Sequence, residues 1–350
     1  MEPGNNGEIK PNSYIFFDAK VDVETKANLY RNENLPIPDK TSFGVFGYRD
    51  GGTTPIFENY SADVNSPFNN VAVMYRPARS AAFQYDNLAL WGGGEHSFYA
   101  YYINGSEYNA NKLTEFCSST RSVIKSVGIR RSSNTVYIEY VQPRTIETMV
   151  DIMTAKTITS KCDEVMMNFY HRLFAIDVVI SNAQTAQKID GHDYPSLPFE
   201  IKDIDVEFTV PDGGFLYFDE QNTNSLNEAT CPVGFDFIPE GGESIDIDAP
   251  RGNTPREYNL NDEYFDDSYT SFLFLPCESL KVKLNLTFEN VWSEDVIYTF
   301  DGEIAPEGGF LPGREYEFIV TRNHNNGNEV EFVTTVVEAW EDKNVDHTFN

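Results

Sequence analysis

No run of 18 apolar residues, no Cys-x-x-Cys pair and no long stretch with a 3.6-residue hydrophobic period occurs in this chain of 350 residues. The first absence excludes a membrane-spanning helix. The second excludes the common zinc and dithiol redox motifs, because Cys117, Cys162, Cys231 and Cys277 lie far apart. They read as buried free thiols, or as one or two disulfides if the protein is exported. The third excludes an all-helical fold. Basic charge is also scarce: 26 Lys and Arg stand against 55 Asp and Glu, a net charge of −29. So acidic a surface gains nothing from counterion release, which excludes nucleic acid and anionic lipid as partners. There is no G-x-S-x-G and no P-loop, and the five histidines lack the i, i+4 or H-x-H spacing that chelates a metal. We expect no catalytic residue, no metal and no cofactor.

What is abundant points to β-structure. Aromatic residues make up 14% of the chain, mostly Phe and Tyr, and apolar residues recur at two-residue spacing in short runs bounded by Gly, Pro, Asn and Asp. The expected class is all-β. A length of 350 residues suits two cores better than one. We expect two tandem β-sandwich domains, at 1–156 and 157–350.

The stretch from Val165 to Ile180 carries the clearest organising signal. Val165, Met167, Phe169, His171, Leu173 and Ala175 share one phase of a period-two pattern, and Ile176, Val178 and Ile180 take the other. Such a slip would swing the apolar set from core to solvent unless the strand breaks there. It predicts two strand segments joined by a kink, with a new core beginning at the junction.

Elsewhere, Tyr14 to Phe17 and Ser42 to Tyr48 read as strands, and Val71 to Tyr75 with Ala82 to Tyr85 as a hairpin around Pro77. His96 to Ile103 is apolar on both faces, as a central strand covered on both sides requires. Ile204, Val206, Phe208 and Val210 alternate with Asp203, Asp205, Glu207 and Thr209. Leu280, Val282, Leu284, Leu286 and Phe288 alternate with Lys281, Lys283, Asn285 and Thr287, the cleanest such run in the chain. Burying those five would contribute on the order of 10 kcal/mol before entropy is subtracted. Asn182 to Pro195 and Asp219 to Thr230 read as loops, and Glu329 to Trp340 as the last strand.

Each residue with chemical potential has a plainer reading. His171 and Trp91 fall within the apolar pattern and belong to the structural core. Carboxylate pairs such as Asp219-Glu220, Asp266-Asp267 and Glu341-Asp342 could face each other across a sugar, but 55 acidic residues produce such pairs by chance. The acidic stretches 203–207 and 259–267 lack the spacing of a calcium loop. Tyr258, Tyr264 and Tyr269 could stack on sugars, though packing explains them as well.

Five stretches, taken in order, resemble the fimbrillin family, the Mfa-like and FimA-like pilins of Bacteroidetes type V pili. They are SFGVFGY at 42–48, Trp91 ahead of SFYAYY at 97–102, DIMTAK at 151–156 followed by NFYHRLFAIDVVI, FLFLPCESLKVKLNLTF at 272–288, and LPGREYEF at 311–318 running to a strand that ends in Trp340. The resemblance implies transthyretin-like topology for both sandwiches and export as a lipoprotein precursor to a cell-surface fimbrium, anchored by lipid rather than by a membrane span. It also implies that the start, MEPGNNGEIKPNSY, is a trimmed mature form. In stalk subunits of that family an arginine-specific protease removes the first strand, and a strand of the next subunit fills the groove. Here the removed segment would include Tyr14 to Phe17, and the donor would carry Val330, Phe332, Thr334, Val336 and Trp340. Many members read Thr-Arg-Ala after the first strand, whereas this chain has Lys26 at the arginine position, which leaves Arg31 as the processing candidate. Stalk and tip or accessory roles stay open. The implied partners are other pilin subunits and a host or bacterial surface receptor or glycan. The alternative is a surface glycan-binding lipoprotein that never polymerises.

Overall fold

The computed structural model describes residues 14–21, 42–49, 54–55, 71–75, 83–85, 88–91, 94–104, 123–130, 135–145, 149–160, 164–182, 187–189, 192–194, 199–218, 225–237, 245–247, 256–259, 272–288, 295–323 and 329–337. Among them every regular element is a strand. In chain order these are β1 (Phe17–Val21), β2 (Ser42–Arg49), β3 (Thr54–Pro55), β4 (Val71–Tyr75), β5 (Phe83–Gln84), β6 (His96–Asn104), β7 (Ile124–Arg130) and β8 (Thr135–Val141). Next come β9 (Asp151–Thr159), β10 (Val165–His171), β11 (Phe174–Asn182), β12 (Gln187–Ile189), β13 (His192–Tyr194), β14 (Phe199–Pro211), β15 (Gly213–Tyr217) and β16 (Ser225–Leu226). The last are β17 (Thr230–Phe237), β18 (Ile245–Ile247), β19 (Arg256–Asn259), β20 (Phe272–Phe274), β21 (Leu280–Phe288), β22 (Val296–Ile304), β23 (Glu315–Asn323) and β24 (Glu329–Val337). The fold is all-β.

The first sheet runs β3-β2-β4-β5-β1-β10-β9-β6, and β6 pairs back onto β2, so all but β3 form a closed ring. Inward-facing residues alternate along each strand and fill the ring with aromatics: Phe17 meets Phe98 edge to face at 5.3 Å and Tyr85 at 5.8 Å, and Phe43 meets Phe169 at 5.3 Å. Strand β6 is central and covered on both faces, as its sequence predicts. Phe98, Ala100 and Tyr102 point into the ring, while Tyr101 and Ile103 enter a second core on its outside.

That second core lies between two further sheets. One has the order β19-β11-β23-β24 with β20 also on β11; the other has the order β17-β14-β21-β22 with β18 also on β14. Phe208 of β14 packs across the gap on Phe272 and Phe274 of β20, at 5.2 and 5.3 Å. The alternations seen in sequence translate directly into burial. Ile204, Val206, Phe208 and Val210 are inaccessible, as are Leu280, Val282, Leu284 and Leu286, while Lys281 and Lys283 are exposed. The position of Phe288 continues that phase at the end of β21.

The 165–180 stretch does break between strands, but at Arg172–Leu173 and not at the phase change between Ala175 and Ile176, because β11 is buried on both faces through Ile180. Strand β10 ends at His171 in the ring, and β11 begins at Phe174 in the other layer. The joining residues bond to both: the Arg172 N–H donates to the Ile152 carbonyl at 2.8 Å, and the Gly313 N–H donates to the Leu173 carbonyl at 2.8 Å.

Several elements were not apparent as strands. Gln187–Ile189 and His192–Tyr194 pair as a short hairpin inside the expected 182–195 loop, and the expected 219–230 loop contains β16. The first strand lies at Phe17–Val21, because Ile15, Phe17 and Ala19 keep the inward phase, while Tyr14 only bridges Leu90. A sheet of order β16-β15-β8-β7 joins Gly213–Tyr217 to Thr135–Val141 across the halves of the chain. The expected division after residue 156 falls within β9, and the outer core gathers Phe46, Tyr101, Ile138 and Tyr140 together with residues of the later sheets.

Gly213 makes the β8–β15 junction testable. A methyl group there would lie 2.4 Å from the Tyr140 carbonyl oxygen, which is backbone and cannot swing aside. Gly213→Ala should lower stability by about 1–3 kcal/mol. Gly234→Ala, whose added carbon would meet only the Val206 carbonyl at 3.6 Å, should change it by less than about 0.5 kcal/mol. Urea unfolding of both variants checks this.

Candidate assembly surfaces

The first strand sits in the ring as an inserted element. It runs parallel to β10 over five residues, from Phe17 opposite Val165 to Val21 opposite Phe169, but pairs with β5 only at Phe17 and Phe83. Upstream, the Ile15 N–H donates to the Ala89 carbonyl at 2.9 Å. The buried Tyr85 hydroxyl donates to the Ile15 carbonyl at 3.1 Å and accepts the Ala89 N–H at 3.0 Å. Ile15, Phe17 and Ala19 are buried in the aromatic core. Removing the segment would expose those pockets and leave one edge of β10 without its partner.

At the other end of the chain, β24 forms a nine-residue antiparallel ladder with β23, from Glu315 opposite Val337 to Asn323 opposite Glu329. Val330, Phe332, Thr334 and Val336 thus lie on a terminal strand bonded along one edge only, among the described residues. Trp340, Lys26 and Arg31 lie outside the described residues.

The two remaining candidates lie in the core. Trp91 is buried, its ring edge-on to His96 at 5.0 Å and to Phe98 at 6.0 Å. His171 Nδ1 lies 2.8 Å from Asp151 Oδ2, and both side chains are buried between β10 and β9. Gln142 escaped notice in the sequence. Its Nε2 donates to the Leu273 carbonyl at 3.0 Å, tying the end of β8 to β20. A lone glutamine after a strand carries no pattern that announces such a bond.

The acidic stretch 203–207 lies on a strand, facing outward from β14. Asn285 Nδ2 donates to Asp205 Oδ2 at 2.9 Å, and Glu207 pairs in register with Lys283. Among the described residues no group of three or more His, Cys, Asp or Glu could hold a metal ion. Cys231 and Cys277 are free thiols, and burial pushes the Cys277 thiol up to about 12. Burial likewise raises the Tyr316 hydroxyl, which accepts the Leu311 N–H at 2.8 Å, and the Tyr48 hydroxyl. The pairs 219–220, 266–267 and 341–342, with Tyr264, Tyr269, Cys117 and Cys162, lie outside the described residues. Tyr258 is a β19 position.

The described chain is built of strands throughout, with the first inserted between two others and the last bonded along one edge. The profile of the fimbrillin-like family matches residues 25–340, and the chain belongs to that family. Its members are fimbrial subunits. The structure is similar to a fimbrial protein from Bacteroides vulgatus, at 15% identity over 94% of this chain and 99% of that one, with a TM-score of 0.56. It is also similar to two Porphyromonas gingivalis proteins. With the tip fimbrial protein Mfa3 it shares 8% identity over 93% of this chain and 99% of that one, with a TM-score of 0.39. With the fimbrial anchor protein Mfa2 it shares 9% identity over 93% and 97%, with a TM-score of 0.35. Only the first likeness is close enough to bear on the fold. No curated protein matches the chain in sequence.

Two outcomes follow from these contacts. Asp151→Ala strips a buried imidazole of its carboxylate and should cost about 1–3 kcal/mol in urea unfolding. The second concerns pH. Cys277, Tyr48 and Tyr316 all ionise at higher pH in the fold than in the unfolded chain. The unfolded state therefore loses protons first, so stability is full below a thiol's ordinary value of about 8.5 and declines above it. The urea midpoint should be lower at about pH 10.5 than at about pH 8, and Cys277→Ser should shrink the difference.

Proposed function

We propose that the chain is a non-enzymatic subunit of a surface type V fimbria, exported as a lipoprotein precursor and joined to its neighbours by strand exchange. The observation that carries this reading is the seat of β1: five residues of parallel pairing on one side, one on the other, and three apolar side chains sunk in the core. A parallel neighbour cannot be joined by a tight hairpin, so β1 is not tied to β10 by a short turn. Burial of Ile15, Phe17 and Ala19 contributes on the order of 5 kcal/mol before ordering costs, and an incoming strand with the same alternation would recover it. Strand β24, or the chain beyond it, is the donor, since it leaves its sheet by breaking a single ladder. Head-to-tail addition of this kind does not close on itself and yields filaments. In this reading the chain has two bodies, which meet at Arg172 and Leu173 and share the outer core.

The experiment is digestion with an arginine-specific protease, followed by mass spectrometry and gel electrophoresis in detergent. Cleavage after Arg31, with Lys26 untouched, should release β1 and be followed by a ladder of detergent-resistant oligomers. A cleaved chain that stays monomeric would refute strand exchange through this groove. An uncut chain would remove the stalk role and leave a tip or accessory subunit, to be told from a glycan-binding lipoprotein by ligand screening.

A further inference from the structure

The exposed ends of the sheets are guarded unevenly. The short terminal strands β3, β12, β13, β16, β18, β19 and β20 are two to four residues long. Strand β7 is interrupted by a bulge between Ile124 and Ser126, and β17 carries Pro232, which has no N–H to offer. Short length, bulges, proline and charged side chains, lysine above all, are the ordinary means by which an edge refuses another strand. Two strands use none of the first three and carry no lysine. These are β24 and β22, each nine residues long, without proline and without a register shift. Strand β24 is the donor discussed above. Strand β22 pairs with β21 along one side, and among the described residues no strand occupies the other.

We propose that the free edge of β22 is an isologous interface with a second copy of this chain, the two strands pairing antiparallel about a dyad at Phe300. The register follows from charge. The outward-facing residues of β22 are Ile297, Thr299, Asp301 and Glu303, and all four are exposed. With the dyad at Phe300, Thr299 lies opposite Asp301 of the second copy and Ile297 opposite its Glu303. No carboxylate then faces another, and on the inner side each keeps its own lysine, Asp301 beside Lys283 and Glu303 beside Lys281. Centring the pair on Asp301 sets that residue against itself, and centring it on Thr299 sets Asp295 against Glu303. A dyad between residues would turn outward side chains toward the core. Ile297, 64% accessible, is the most exposed large apolar side chain among the described residues, and the dyad covers it on both copies. The net charge of −29 on each chain opposes the encounter at long range, so the dimer strengthens as salt screens it.

Sedimentation equilibrium of the uncleaved full chain, at low and high ionic strength, tests the pairing without any step of strand exchange, so its failure would leave that reading intact. The expected result is a salt-favoured monomer–dimer equilibrium. Ile297→Glu sets like charges opposite each other twice per dimer and should raise the dissociation constant on the order of tenfold, whereas Ile297→Lys should lower it. The accessibility of Ile297 keeps both variants folded, as circular dichroism would verify. A chain that stays monomeric at high salt overturns the proposal, as does a dimer that responds to both substitutions in the same direction or to neither.

Discussion

The peptide groups of Arg172 and Leu173 belong to two sheets at once, and the rest of the architecture depends on that. A buried backbone N–H or C=O without a partner costs more than most single side-chain contacts contribute. Here one of the two groups is satisfied by Ile152 of the ring and the other by Gly313 of the following layer. The chain can therefore leave the first aromatic core and enter the second without exposing its backbone at the break between β10 and β11. His171, on the last position of the ring side, is buried against Asp151, so the turn-over point is pinned by a polar contact as well as by packing.

Around that break the earlier and later parts of the chain share contacts. The outer face of the ring, at Phe46, Tyr101 and Ile103, is itself apolar and serves as one wall of the second core. Strand β15 returns from the later half to pair with β8, and Gln142 reaches the Leu273 carbonyl. The two termini themselves are held differently. β1 is wedged between neighbours inside a core, while β24 hangs on one ladder at the end of a sheet.

Much of this could be read from residue order. Where one face of a strand is buried and the other solvated, the period of two is written plainly, and 201–210 and 280–288 fold as their alternation demands. The double-sided apolarity of 96–103 likewise signals a strand with a core on each face. The family resemblance rested on the spacing of these same segments, and the match over residues 25–340 supports it. Strands β12, β13 and β16 were missed because two- or three-residue pairings bury too little to leave a pattern. Strand β22 does carry an apolar phase, Val296, Tyr298, Phe300 and Ile304, but Gly302 interrupts it and Ile297 blurs the opposite phase of Thr, Asp and Glu.

The sequence by itself determined the all-β class, the presence of a break within 165–180 and the faces of the long strands, because alternation is a local consequence of strand geometry. Only the tertiary structure decided which strands are neighbours. The closure of the ring through β2 and β6, the parallel seat of β1 and the β8–β15 pairing each join residues far apart in the chain. Hydrogen-bond ladders are made of backbone, which is the same at every residue, so the partner of a strand is chosen by how whole faces pack and not by any motif within it.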